Sequence, residues 1–179
     1  MAKTVVLVVT GSIAAYRACE IISALKASSF DVKVVLTKEG AQFITPLSLQ
    51  TLSGNKVYTD MFDPPEKWDP VHTSLAQGAS LVLIAPATAN IIGKLAGGIC
   101  DDLLTCVVYA TAAPVLIAPA INEKMYEHAV LKENIAKLKK IGYSFVGPIR
   151  GHLACGHNAI GHIAGTGDIV AAAKKLIKR

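Results

Sequence analysis

Charge is scarce in this chain: only 17% of its 179 residues are charged, against 52% hydrophobic. Long apolar runs are absent too, and none approaches the roughly 20 residues that a bilayer-spanning helix needs. The apolar excess therefore belongs to a core or to subunit interfaces, not to a membrane. The first apolar run is a short strand that lacks the n-region, h-region and cleavage pattern of a signal peptide, so the sequence reads as cytoplasmic. The four cysteines, Cys19, Cys100, Cys106 and Cys155, include no C-x-x-C pair, which argues against a disulfide framework or a zinc ribbon. Cys19, Cys100 and Cys106 lie in apolar, helix-like surroundings and are expected in the core. The net charge of +5 is spread along the chain without interleaved aromatics, and nucleic-acid binding is not expected. There is no internal repeat and no low-complexity tract. A chain of this length suits one compact α/β domain over 1–179.

Four short apolar runs, at 4–10, 32–36, 81–85 and 115–118, read as strands buried on both faces. Helical patterns alternate with them at 12–27, 46–52, 89–96, 102–110, 127–141 and 168–178. The alternation predicts a three-layer, doubly wound, Rossmann-like (flavodoxin-like) α/β fold, with a mostly parallel sheet and ligands gathered at the carboxyl ends of its strands. The stretch 54–70, with two adjacent prolines, reads as a surface excursion.

The strand-to-helix turn from Thr10 through Gly11, Ser12 and Ile13 places unpaired backbone N–H groups where a helix begins, which suits an anion. Neither G-x-G-x-x-G nor G-x-x-x-x-G-K-[ST] is present, so a single phosphomonoester fits better than a pyrophosphate. An ordinary turn with Ser12 as N-cap fits the same residues. After the third strand comes Ala85-Pro86-Ala87-Thr88-Ala89-Asn90, and after the fourth Pro119-Ala120-Ile121-Asn122, with Met125 beyond. Small residues there let the backbone approach a flat ligand, and Asn90 and Asn122 offer donors and acceptors. Asp101 and Asp102 suit a helix start. The Gly-rich stretch 151–156 reads as an irregular, mobile flap presenting Cys155. His152, His157 and His162 recur at intervals of five, but with Cys155 they match no standard zinc pattern, and no metal is expected. His72, standing alone before an apolar helix, reads on its own as structural.

Taken together, GSIAAYR (11–17), His72 with Leu75 and Ala76, APATAN (85–90), GICDDLL (98–104), PAIN with Met125, and ACG (154–156) resemble the homo-oligomeric flavin-containing cysteine decarboxylases. The resemblance spans nearly the whole chain. It implies FMN, with its phosphate on Gly11, Ser12 and Ile13 and the rest of its pocket from Thr37, Lys38, Phe43, Ala85, Pro86, Ala87, Thr88, Asn90 and Ala120. It further implies a homotrimer or homododecamer with FMN at the subunit interface. The implied reaction is decarboxylation of a small-molecule substrate, 4'-phosphopantothenoylcysteine, to 4'-phosphopantetheine in coenzyme A biosynthesis. Oxidising the cysteinyl thiol lets CO2 leave as a stabilised enethiolate forms, and re-reduction then completes the cycle. His72 would be the base, Asn122 would hold the substrate's carboxylate and amide end, and Cys155 would donate the last proton. Met125, Ala154 and Gly156 would contact substrate. After ACG the family's acidic residue and first glycine are replaced by His157 and Ala159, and His162 follows Gly161. Alternatives of the same fold are a peptidyl-cysteine decarboxylase and a catalytically silent flavin-binding regulatory subunit.

Overall fold

The computed structural model describes residues 3–62, 70–152, 156 and 158–178. Six strands form one parallel sheet: β1 (Thr4–Val9), β2 (Asp31–Leu36), β3 (Val57–Tyr58), β4 (Leu81–Ala87), β5 (Val115–Pro119) and β6 (Ser144–Phe145), in the order β3-β2-β1-β4-β5-β6. The predicted doubly wound sheet is therefore the observed one. The four long strands match the four apolar runs to within two residues at either end. β3 and β6 are two-residue edge strands that no periodicity announces.

The period-two geometry of a strand divides β1 between two cores. Val5, Leu7 and Val9 face α1 (Arg17–Ala27), α2 (Pro46–Ser53) and α8 (Thr166–Ile177), whereas Val6 and Val8 face α3 (Val71–Gly78), α4 (Ala89–Gly97), α5 (Leu103–Ala110) and α7 (Ala129–Lys140). Both sets are fully buried, which is why the strand reads as a continuous apolar run rather than an alternating one. α6 (Glu123–Glu127) is a short turn ahead of α7, so the expected helix over 127–141 begins instead at Ala129. The expected first helix starts as a 3-10 turn, Ile13–Tyr16, and continues into α1.

Two further expectations are corrected. The Gly-rich stretch after 148 is not irregular at its ends: β7 (Ile149–His152) and β8 (Asn158–His162) pair as an antiparallel ribbon. Cys100 is exposed and Cys106 half-buried, not core residues, whereas half-buried Cys19 packs against the core. Gly98, at φ +76, ends α4 in a left-handed cap, and the chain beyond it runs over the surface. The sheet order reverses between β1 and β4, which opens a crevice at the carboxyl ends of those strands.

Candidate functional site

The turn after β1 forms one wall of that crevice. Thr10 is buried, and its hydroxyl donates to the Pro86 carbonyl at 2.7 Å, locking the ends of β1 and β4 together. At Gly11 a Cβ would collide with the Cβ of Glu39, so only glycine lets the β1 turn and the loop after β2 come this close. Ser12 Oγ accepts from Ala14 N at 3.3 Å and donates to the Ala120 carbonyl at 3.4 Å. It is thus an N-cap and also a bridge to the end of β5. The N–H groups of Gly11 and Ile13 donate to no protein acceptor among the described residues. The turn is therefore capped and still has donors to offer.

Each remaining wall is set by a local backbone device. Thr37 N donates to the Val9 carbonyl at 3.1 Å, and its hydroxyl accepts from Gly40 N at 3.0 Å. A side chain on Gly40 would press on the Val9 carbonyl at 2.8 Å. Thr88 caps α4 by accepting from Ile91 N at 3.4 Å, which leaves Asn90 exposed at the rim. Ala120 N donates to the Ala87 carbonyl at 3.0 Å, and Asn122 caps α6 by accepting from Lys124 N at 3.0 Å. The ribbon meets this loop through Ile121 N, which donates to the Gly161 carbonyl at 3.0 Å.

Two connected cavities result. One, of about 270 Å³, is lined by Thr10, Gly11, Ser12, Thr37, Glu39, Thr88, Ala89, Asn90, Ile91, Ala120, Ile121, Asn122 and Met125. The other, of about 500 Å³, lies between the 3-10 turn and the ribbon and shares Ser12, Ala120, Ile121 and Asn122 with the first. Ile13, Tyr16, His152 and His162 complete its walls.

Of the residues singled out in the sequence, Gly11, Ser12, Thr37, Thr88, Asn90, Ala120, Asn122 and Met125 come together on the first cavity, and Ile13 on the second. Others do not line either. Ala85, Pro86 and Ala87 are buried in β4, and Lys38 points into solvent beside Glu39, with 3.7 Å between their charged groups. Phe43 is half-exposed away from both. His72 lies in the first turn of α3 and lines neither cavity; its Nδ1 is buried without a hydrogen bond. Gly156 is exposed, at φ +95. Ala154, Cys155 and His157 lie outside the described residues. Sequence reasoning gave no site role to Ile91 or Ile121 and named Thr10 only as the start of the turn, although all three line the first cavity. Their signal was position alone, at a strand end or beside Asn90 and Asn122.

The first cavity offers hydroxyl and amide groups, Glu39, an apolar strip of Ala120, Ile121 and Met125, and the uncommitted Gly11 N–H, with that of Ile13 on the adjoining cavity. Unpaired N–H groups favour an anion, while small side chains and flat backbone favour a planar ring system. A ring carrying one phosphate fits this donor set.

A family model described as Flavoprotein matches residues 1–178. The chain is 44% identical over 173 residues to the coenzyme A biosynthesis bifunctional protein CoaBC of Bacillus subtilis, covering 97% of this chain and 43% of that one. It thus spans less than half the length of that bifunctional relative. It is 41% identical over 172 residues to the probable phosphopantothenoylcysteine decarboxylase of Streptococcus mutans, covering 95% of this chain and 96% of that one. Among solved structures, a cysteine-to-serine mutant of PPC decarboxylase complexed with pantothenoylaminoethenethiol superposes with a TM-score of 0.90 at 29% identity, over the whole of both chains. The FMN binding protein AtHal3 superposes at 0.85 and 30% identity, over 98% of this chain and 96% of that one.

Proposed function

The chain belongs to the Flavoprotein family, and from that premise we propose that it binds FMN and decarboxylates 4'-phosphopantothenoylcysteine to 4'-phosphopantetheine as a cytoplasmic homo-oligomer. One observation carries the reading. The turn at Gly11–Ile13, with its two uncommitted N–H groups, and the Asn122 cap stand on one crevice, bridged by the Ser12 to Ala120 hydrogen bond. The proposed phosphate cradle and substrate-holding amide would thus share a single wall.

Gly11, Ser12 and Ile13 would hold the phosphate of FMN, with Thr37, Thr88, Asn90 and Ala120 around its rings. When bound, the flavin supplies a two-electron acceptor that the substrate thiol can reduce and that later returns the electrons. Asn122 would hold the substrate from the cap of α6, where its Oδ1 accepts from Lys124 N at 3.0 Å, by an amide that suits a carboxylate or carbonyl. His72 takes the thiol and substrate protons. Among the described residues its Nδ1 has no hydrogen-bond partner. Because His72 lines neither cavity of its own chain, the reading places it in the crevice of a neighbouring protomer. Cys155 then gives a proton to the enethiolate as it is reduced. The ribbon that flanks the residue forms the wall of the larger cavity, where the rest of the substrate would lie.

Purified protein incubated with 4'-phosphopantothenoylcysteine should release CO2 and accumulate 4'-phosphopantetheine by mass spectrometry, with the flavin spectrum oxidised at the end. His72→Asn should release no CO2, and Cys155→Ser should release CO2 yet accumulate the unreduced enethiol. Flavin bound without any reaction would overturn the activity, and protein that takes up no flavin would overturn the cofactor.

A further inference from the structure

The sulfurs of Cys100 and Cys106 stand 3.2 Å apart, remote in role from the crevice and absent from the lining of either cavity. Cys100 is exposed on the link between α4 and α5, and Cys106 is half-buried in the second turn of α5. A sulfur–sulfur bond measures about 2.05 Å, so the pair needs to close by little more than 1 Å. Cys100 itself lies outside any regular element, between Gly98, the cap of α4, and Asp102, the cap of α5. The link itself is held: Lys94 Nζ donates to Asp101 at 2.7 Å and to Asp102 at 2.8 Å, and Cys106 N donates to the Asp102 carbonyl at 3.0 Å. The two thiols are thus kept at near-bonding distance by a scaffold that does not depend on them.

We propose that Cys100 and Cys106 form an oxidisable dithiol, a modification site that closes to an intramolecular disulfide on reaction with a low-molecular-weight disulfide. The Cys100 thiolate attacks one sulfur of the reagent, forming a mixed disulfide and expelling one thiolate. Cys106 then loses its proton to solvent and attacks Cys100 Sγ, expelling the second. Two protein thiols are oxidised and one reagent disulfide is reduced to two thiols, so two electrons pass to the reagent. Exposure makes Cys100 the entry point. Burial above all, then the contact with Cys100 and the charges of Asp102 and Asp101, push Cys106 up to about 11, so Cys106 rests as a thiol. Closure staples the start of α5 to the loop leaving α4. Cys19 supplies an internal contrast, a partly buried thiol on α1 with no second sulfur beside it among the described residues.

Trypsin releases both residues in one peptide, 95–124, which contains no other cysteine. Full-length protein exposed to oxidised glutathione and then to iodoacetamide should yield this peptide two hydrogens lighter and unalkylated, with both thiols returning after dithiothreitol. Cys106→Ser should instead trap glutathione on Cys100, and Cys100→Ser should leave Cys106 alkylatable. Wild-type peptide that is alkylated at both positions, or that stops at the mixed disulfide, would overturn the proposal, and neither result depends on whether the variants fold.

Discussion

Two glycine positions in the family's ribbon motif behave differently. Gly161 sits at φ +134, and a Cβ there would collide with the Ile121 carbonyl oxygen. Ala159, at the place of the other glycine, is buried in β8 and pairs with Gly151, with no positive φ to require glycine. The sequence departure at Ala159 therefore costs the backbone nothing, whereas Gly161→Ala should cost about 1–3 kcal/mol through strain and close contact. Urea unfolding should show the lower midpoint, and flavin affinity should fall with it because the Ile121–Asn122 segment must shift. An unchanged midpoint would mean that the contact relaxes freely. The motif was legible in the sequence, but which of its glycines the backbone needs was not, since φ is invisible in composition.

At the scale of elements, the start of α5 is the best-defined cap. Asp102 Oδ1 accepts from Thr105 N at 2.8 Å, while Thr105 Oγ1 accepts from Asp102 N at 3.2 Å. Burial alone would raise the Asp102 carboxyl, but the Lys94 ammonium and the Thr105 N–H and hydroxyl outweigh it and hold it below its ordinary value. A carboxyl lowered in the folded state contributes stability above its unfolded pKa and loses it as pH falls through the folded one. Asp102→Ala should lower stability by about 1 kcal/mol at neutral pH, and the gap from wild type should close below roughly pH 4. Thermal melts across pH measure both. The Asp101-Asp102 pair announced this helix start plainly. The edge strands β3 and β6 were silent because two residues carry no period. The helix expected after His72 takes in His72 itself, because α3 starts at Val71, one of the three residues it buries with Leu75 and Ala76. Cys100 was misplaced because an apolar neighbourhood in sequence does not show that Gly98 has already turned the chain outward.

For the whole molecule, the proposed assembly has a consequence that one chain cannot show. If His72 of one protomer completes the Asn122 crevice of another, then two inactive variants carry complementary halves. Equal amounts of His72→Asn and Asn122→Ala protein, unfolded and reassembled together, should recover roughly a quarter of wild-type activity, since random mixing leaves about that share of sites with both native residues. Native mass spectrometry should show oligomers that mix the two variants. No recovery from verified hybrids would place His72 and Asn122 in the same protomer.

Gly161 is wedged against the Ile121 carbonyl, and its own carbonyl takes the Ile121 N–H. This end of the ribbon therefore dictates how Asn122 is presented, whatever sequence stands at 153–157. Transplanting 153–157 from a decarboxylase of this shape, with Gly161 untouched, is the natural first design for bringing this scaffold to a chosen thiol acid.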